Sequence, residues 1–384
     1  MNLHIVALPH TEVSADFCGC AFTAKVLKFC KMMGANYRIR VYAPEGPPIP
    51  GAELIPCTTR MERTAIFGLD DPHRLPVWPR EEQIQLFNKL VIREMRKRLG
   101  DKKDTLILLT GGWTFRAIQE AFPGYFTCEP GVGYLGICTD KCAFESYAWM
   151  NHVYAKKGIE NGRWYDCVIP NYFDPDDFPE INEGSRHSAL GYRPSYLLYL
   201  GRLTQRKGVH IASDIANRLG IPLKVAGSGG RQVGPDIVAP EVTIKNAEYL
   251  GPVGIAQRSA LLAGAWALLV PTIYHEPFGG VAVEAMMSGT PVVATDWGAF
   301  PETVKHGFTG YRFRTLSEGC QAVIDCQRLF PSLIRQHAIQ TYSLAAVKPL
   351  YDDWFLRLRG LWAKGWYNEE KCDKMPGSVL QCWQ

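Results

Sequence analysis

The chain opens on a short apolar run from Leu3 to Leu8. Helical spacing follows from Ala21 to Met33, and a second apolar run, Tyr37 to Tyr42, is closed by Pro44. Short apolar blocks predict strands and apolar positions three and four apart predict a helix, so this start reads as a βαβ unit. A helix is predicted from Glu81 to Leu99, ending at Gly100, with strands from Thr105 to Thr110 and from Tyr125 to Cys128. From Asn171 to Pro194 the periodicity gives way to Asn, Asp, Pro and polar residues, which suits a connector. The alternation then restarts: strand Tyr196 to Leu200, helix Gly208 to Leu219, strands Leu223 to Ala226 and Val242 to Leu250, helix Gly254 to Ala263, strand Ala267 to Val270, helix Gly279 to Ser288 and strand Pro291 to Ala294. Strands separated by helices need crossover connections, so both halves are expected to hold parallel sheets covered on both faces. A last helical stripe runs through Leu344, Val347, Leu350, Tyr351, Trp354, Phe355 and Leu358 and needs a docking surface.

The expected architecture is α/β: two Rossmann-like domains facing a cleft, with residues 1–172 in the first, a connector over 173–194 and the second over 195–342. A helix at about 343–362 follows, and the tail 363–384 has no clear periodicity. A length of 384 residues exceeds what a single core normally organises, which agrees with two domains. A content of 47% hydrophobic and 21% charged residues with net charge +4 excludes disordered and collagen-like classes and implies no nucleic-acid partner. The N-terminus enters a strand without a basic leader, and the longest apolar stretch, Ala260 to Pro271, is broken by Gly264 and too short to span a bilayer. A cytoplasmic chain is expected. Twelve cysteines without paired C-x-x-C spacing read as free thiols rather than as disulfides or a zinc site of Cys128, Cys138, Cys142 and His152. The basic run Arg93, Arg96, Lys97 and Arg98 leaves open a peripheral contact with anionic lipid or a plain solvated face.

Two constellations carry chemistry. Glu276-Pro277-Phe278-Gly279-Gly280-Val281-Ala282-Val283-Glu284 follows an apolar strand and runs into a helix. In a parallel sheet, ligands bind beyond the carboxyl ends of the strands. Gly279 and Gly280 open a helix whose free amides and positive dipole end favour a phosphate. Glu276 and Glu284 are pure acceptors when ionised, suited to hydroxyls of a sugar and a ribose. The second constellation, Gly201-Arg202-Leu203-Thr204-Gln205-Arg206-Lys207-Gly208, also follows a strand. There a guanidinium and an ammonium can neutralise charge developing on a departing diphosphate. Asp174 and Asp176 spell an acidic pair known from metal-dependent transferases, but they lie in the connector, where an acidic turn is ordinary.

From Tyr199-Leu200-Gly201-Arg202 and Lys207-Gly208, through Val225-Ala226-Gly227-Ser228-Gly229 and Tyr249-Leu250-Gly251, to Val270-Pro271, Glu276-Pro277-Phe278-Gly279, Glu284-Ala285-Met286, Gly289-Thr290-Pro291-Val292-Val293-Ala294 and Pro301-Glu302, the second half resembles the donor domain of retaining glycosyltransferase family 4, which has the GT-B fold. The resemblance covers roughly Tyr196 to Arg314 and several motifs in order. It implies that Arg202 and Lys207 hold a donor diphosphate, Glu284 the ribose and Glu276 the transferred sugar. It further implies that backbone groups of Phe278, Gly279 and Gly280 line sugar and phosphates, that Gly227, Ser228 and the turn from Leu250 to Val253 border the nucleoside, and that the helix at about 343–362 crosses back to complete the first domain. The reaction so implied moves a sugar from a nucleoside-diphosphate sugar to a hydroxyl of a glycan or other acceptor, with no cofactor and no metal.

The first half departs from that pattern. Where many members have a glycine pair after the first strand, the loop Pro9 to Cys20 offers only Gly19 for a phosphate contact, and Glu129 stands where many carry a histidine. Glu129 is a candidate for binding sugar or acceptor hydroxyls or for assisting proton removal, or else a polar turn residue. Tyr134 is a candidate for stacking on an acceptor sugar. A nicotinamide oxidoreductase is disfavoured because Gln232 replaces the third glycine of the dinucleotide fingerprint after Ala226. A sugar-nucleotide epimerase of the same fold and a non-catalytic glycan- or nucleotide-binding module remain as alternatives.

Overall fold

The structure, a computed structural model, describes residues 1–17, 20–67, 79–163, 165–179 and 196–364, with the backbone alone for 361–364. The first domain is built on seven strands: β1 (Asn2–Val6), β2 (Arg38–Pro44), β3 (Glu53–Thr58), β4 (Thr105–Leu109), β5 (Phe126–Val132), β6 (Cys142–Phe144) and β7 (Cys167–Val168). They form one parallel sheet in the order β3-β2-β1-β4-β5-β6-β7. Its central strands are apolar on both faces, as a sheet covered on both sides requires. Leu106 and Leu108 of β4 enter one core with the helix Ala21–Met33, while Ile107 and Leu109 enter a second with the helix Glu81–Arg96.

The second domain contains β8 (Leu197–Leu200), β9 (Leu223–Ala226), β10 (Arg231–Val233), β11 (Asp236–Val238), β12 (Thr243–Ile244), β13 (Ala247–Gly251), β14 (Leu268–Val270), β15 (Val292–Thr295) and β16 (Gly310–Phe313). Six of these make a parallel sheet in the order β13-β9-β8-β14-β15-β16. The expected strand Val242 to Leu250 is two strands in two sheets. Asn246, at φ 49°, breaks it in the left-handed region that Asn tolerates, and β12 pairs antiparallel with β11 in a small β10-β11-β12 sheet. That small sheet is a departure from the all-parallel expectation.

The helical stripe near the C-terminus is the helix Leu344–Lys364, and its docking surface is the first domain. Tyr351 and Phe355 pack edge-on against Phe29 with ring centroids 5.2 and 6.3 Å apart. Tyr37 Oη donates to Asp352 at 2.8 Å and Trp354 Nε1 to the Tyr165 carbonyl at 2.8 Å. The chain passes from the first domain to the second at Phe173 and returns beside it, with Phe173 N donating to Tyr342 O and Leu344 N to Phe173 O. No described helix is long and apolar enough to cross a membrane. The tail from residue 365 onward and most of the predicted connector lie outside the described residues.

Candidate active site

In the second sheet, β8 sits between β9 and β14, so the chain order reverses between β8 and β14. A crevice opens where the loops leaving such neighbouring strands run in opposite directions. Those two loops are the two constellations of the sequence. Lys207, in the loop after β8, donates to Glu276 Oε2, in the loop after β14, at 2.6 Å. Both side chains are largely enclosed, at 22% and 11% exposure. The loops are tied by Ile273 N donating to Arg206 O at 2.9 Å. Gly208, at φ +72°, allows this approach, because a Cβ there would lie 1.8 Å from the Pro271 carbonyl oxygen. Tyr274 stands beside the pair, with the Lys207 ammonium 4.9 Å and the Arg206 guanidinium 5.0 Å from its ring centre. Burial and the neighbouring Glu276 carboxylate hold the Tyr274 phenol well above its usual range. Arg202 is exposed at the rim of this group, and its carbonyl accepts from Tyr199 Oη at 3.0 Å.

Glu276 continues into the helix Gly280–Met287. Gly279 caps it at φ 80°, and the first amide to turn inward is that of Ala282, on Gly279 O at 2.9 Å. The amides before it have no acceptor within the helix, as at every helix start. Phe278, 2% exposed, anchors this corner by stacking on Phe173 at 6.4 Å and meeting Tyr342 edge-on at 5.8 Å. Glu284 lies one turn further on and accepts from Arg258 Nη1 at 2.9 and 3.2 Å, while Arg258 Nη2 reaches the Val253 carbonyl at 3.4 Å. The remaining second-domain candidates stand at the adjoining strand ends. Gly227, after β9, donates to Gly251 O at 2.9 Å, and its carbonyl accepts from Tyr249 Oη at 2.7 Å. A Cβ on Gly227 would fall 1.8 Å from Gly201 O, which is why glycine stands here. Ser228 O accepts from Leu203 N at 3.0 Å. Leu250 and Val253 are half-buried against the domain core. The structure therefore brings Lys207, Glu276, Phe278, Gly279, Gly280, Glu284, Gly227, Ser228, Leu250 and Val253 along one edge of one sheet, with Arg202 at its rim.

The first-domain candidates fare differently. Gly19 lies outside the described residues. Glu129 is completely buried in β5, where its carboxylate accepts from Cys138 N at 3.1 Å, Thr139 N at 3.4 Å and the thiols of Cys138 and Cys142 at 3.4 Å each. Burial raises the Glu129 carboxyl above its ordinary value despite these donors. A carboxylate so enclosed presents no free oxygen to an acceptor, so of the two readings left open at 129, a binding or proton-removing group and a structural polar residue, the geometry favours the second: Glu129 braces the segment after β5. Tyr134 is half-buried, its ring against Phe22 at 5.7 Å and packed so tightly on Gly112 that a Cβ there would meet it at 2.7 Å. It stiffens the same segment rather than presenting an open ring. The loop after β1 is held without a glycine pair. Glu12 accepts from Arg63 at 2.8 Å and from Arg60 at 2.9 Å, and the Thr11 and Thr23 hydroxyls meet at 2.6 Å.

Residues that the sequence did not single out for function line the seam between the domains. The helix Tyr147–Lys157 begins against the second domain: Glu302 accepts from the amides of Tyr147 and Ala148 at 2.8 Å each, and Ser146 Oγ donates to Pro277 O at 2.6 Å. His152 of this helix stacks on His275 at 5.1 Å. From the helix Ala21–Met33, Lys28 extends over the Phe173 ring, 4.3 Å from its centre. Pro301-Glu302 was already visible as a motif, whereas nothing local marks Lys28, whose neighbours come from distant segments. Asp174 accepts from Lys31 and from Asp176 N, which makes the acidic pair of the connector a turn cap.

The second domain matches the family model for glycosyl transferases group 1 over residues 182–318. The glycogen synthase of Mycobacterium tuberculosis (strain CDC 1551 / Oshkosh) is 38% identical over 123 residues, 30% of this chain and 30% of that protein. The glycogen synthase of Thermus thermophilus is 35% identical over 228 residues, 54% of this chain and 49% of that one, so the match spans half or less of these curated relatives. Over nearly the whole chain the fold is shared with a glycosyltransferase involved in avilamycin A biosynthesis, at 18% identity and TM-score 0.65, covering 94% of this chain and 98% of that one. It is shared too with HepE of Anabaena, solved with UDP and glucose, at 14% identity and TM-score 0.62, covering 92% and 98%. The second domain is thus a glycosyl transferases group 1 domain, carried in a chain with the two-domain GT-B glycosyltransferase fold.

Proposed function

We propose that the protein moves a sugar from a nucleoside-diphosphate sugar to an acceptor hydroxyl, with retention at the anomeric carbon and without a metal ion. The observation that carries this reading is the 2.6 Å contact of Lys207 with Glu276 at the strand reversal, beside the free amides that open the helix Gly280–Met287. A sugar hydroxyl held by Glu276 is then adjacent to a diphosphate held by Lys207, Arg202 and those amides, with the ribose toward Glu284. In the reaction the bond from the anomeric carbon to the phosphate oxygen breaks, and negative charge grows on the diphosphate opposite the two cations. The acceptor oxygen bonds to the same face of that carbon, and its proton passes to an oxygen of the departing phosphate. The enclosure of Glu129 supports this last step, since that carboxylate is not placed to remove the proton.

A thermal-shift panel of UDP, GDP and ADP and their hexose conjugates tests the reading. One base is expected to raise the melting temperature, because a ligand bound only by the folded state stabilises it. The matching sugar conjugate is then turned over in the presence of EDTA. No stabilisation by any nucleotide at millimolar concentration would overturn the proposal.

A further inference from the structure

Along the helix Ala21–Met33, Lys25, Lys28 and Lys31 recur at intervals of three and so share one side of the helix. The outer two are satisfied. Lys25 pairs with Glu145 and donates to Gly131 O at 2.9 Å, and Lys31 pairs with Asp174. Lys28, between them, makes no direct ion pair or hydrogen bond among the described residues, and its ammonium stands over the face of Phe173. The charges that reach it through space are Glu284 and Asp177, with Arg258 and Lys25 opposing. Its ammonium is pulled down to about 8, chiefly by burial. A partly buried cation without an anion at contact distance is a costly arrangement unless something supplies one.

The surroundings indicate what that is. Phe173 is the aromatic on which the start of the helix Gly280–Met287 rests: it stacks on Phe278 at 6.4 Å, and a Cβ on Gly280 would lie 3.5 Å from its Cζ. Lys28 therefore approaches, from the first domain, the same corner that the amides of Gly279, Gly280 and Val281 approach from the second. Glu284, on that same helix one turn further on, is one of the two carboxylates whose charge reaches it. A phosphate that joins a ribose at Glu284 to a sugar at Glu276 must pass this corner.

We propose that Lys28 is a donor-binding residue contributed by the first domain, its ammonium contacting the phosphate next to the ribose of a nucleoside diphosphate. This rests on the donor site proposed above and deepens it. The second domain alone then supplies Lys207 and Arg202, and the full set of cations forms only across the cleft. The charge is matched by the ligand rather than by a carboxylate at contact distance among the described residues, so occupancy of the site draws the two domains together.

Isothermal calorimetry on the full chain tests this, using UDP, GDP and ADP to find the base that binds, then the monophosphate and the free nucleoside of that base. For Lys28→Gln, affinity for the diphosphate and the monophosphate is expected to fall at least tenfold, while affinity for the nucleoside stays within twofold. Lys28→Arg is expected to recover most of the loss, and Lys31→Gln to change nothing. Diphosphate binding unchanged in Lys28→Gln would overturn the proposal. So would an equal loss for nucleoside and diphosphate, which would mark Lys28 as a support for Phe173 only. If the unaltered protein binds none of the three diphosphates, the donor site itself is wrong, and the Lys28 assignment goes with it.

Discussion

At the level of single residues, the legible part of the site is the part whose chemistry is contiguous. Lys207 lies between glycines after an apolar strand and Glu276 opens a glycine-rich helix start, so each position could be read from its immediate neighbours, and the structure joins them at 2.6 Å. If Lys207 steadies the departing diphosphate, Lys207→Ala lowers kcat by roughly 100- to 1,000-fold, the usual cost of one such group. Circular dichroism and melting temperature remain near normal, because the residue is not part of the core; near-normal turnover would remove the role. Glu129 was illegible for the opposite reason. A glutamate at the end of a strand reads as a cleft residue, and only the fold shows Cys138, Thr139 and Cys142 closing over it. Its raised carboxyl gives a signed expectation. The folded state holds the proton more tightly than the unfolded chain, so this group's contribution is full below the ordinary carboxyl value and is lost as pH rises through the raised one. Glu129→Gln therefore flattens the fall in stability above about pH 4.3, measured by urea unfolding across pH, and leaves turnover within twofold. A large loss of turnover would return Glu129 to the active site.

At the level of elements, the long and strongly periodic segments were the readable ones. The helix Ala21–Met33 falls where its spacing placed it, and the helix Glu81–Arg96 is three residues shorter at its end than its pattern suggested. Strands such as β6, with three residues, and β7, with two, are too short to show alternation, and β3 carries Pro56, which disguises an edge strand. The helix Leu344–Lys364 was legible as an amphipathic stripe, but its destination came from the family resemblance and not from its pattern, since the partner surface lies more than 300 residues earlier at Phe29 and Tyr37. Its packing has a measurable consequence. Phe355 is fully buried against Phe29, Tyr351 and Trp354. Phe355→Ala is expected to cost about 3–5 kcal/mol, the range for deleting a large buried aromatic. The loss falls on the first domain, so calorimetry is expected to show one transition moved down and another, nucleotide-responsive, kept in place. A shift of under about 1 kcal/mol would mean that the helix is only loosely docked.

For the whole molecule, two domains were foreseeable from length and from the restart of the strand and helix alternation, but the way they meet was not. The seam depends on pairs distant in sequence: Glu302 with the amides of Tyr147 and Ala148, and Ser146 with Pro277. Glu302 stands at the start of a helix, where the positive dipole end and free amides favour a carboxylate, but that helix belongs to the other domain. The contact therefore acts as a strut between domains, setting how far Lys28 and the first-domain loops stand from the sheet edge of the second. Removing it with Glu302→Ala leaves two amides without an acceptor while both cores stay intact. Small-angle scattering is then expected to show a larger radius of gyration than in the unaltered chain, narrowed again by a saturating nucleoside diphosphate. Diphosphate affinity is expected to fall several-fold, because part of the binding energy now draws the domains together. Unchanged scattering with unchanged affinity would show that the domains keep their spacing through the paired passages at Phe173 and Leu344 alone.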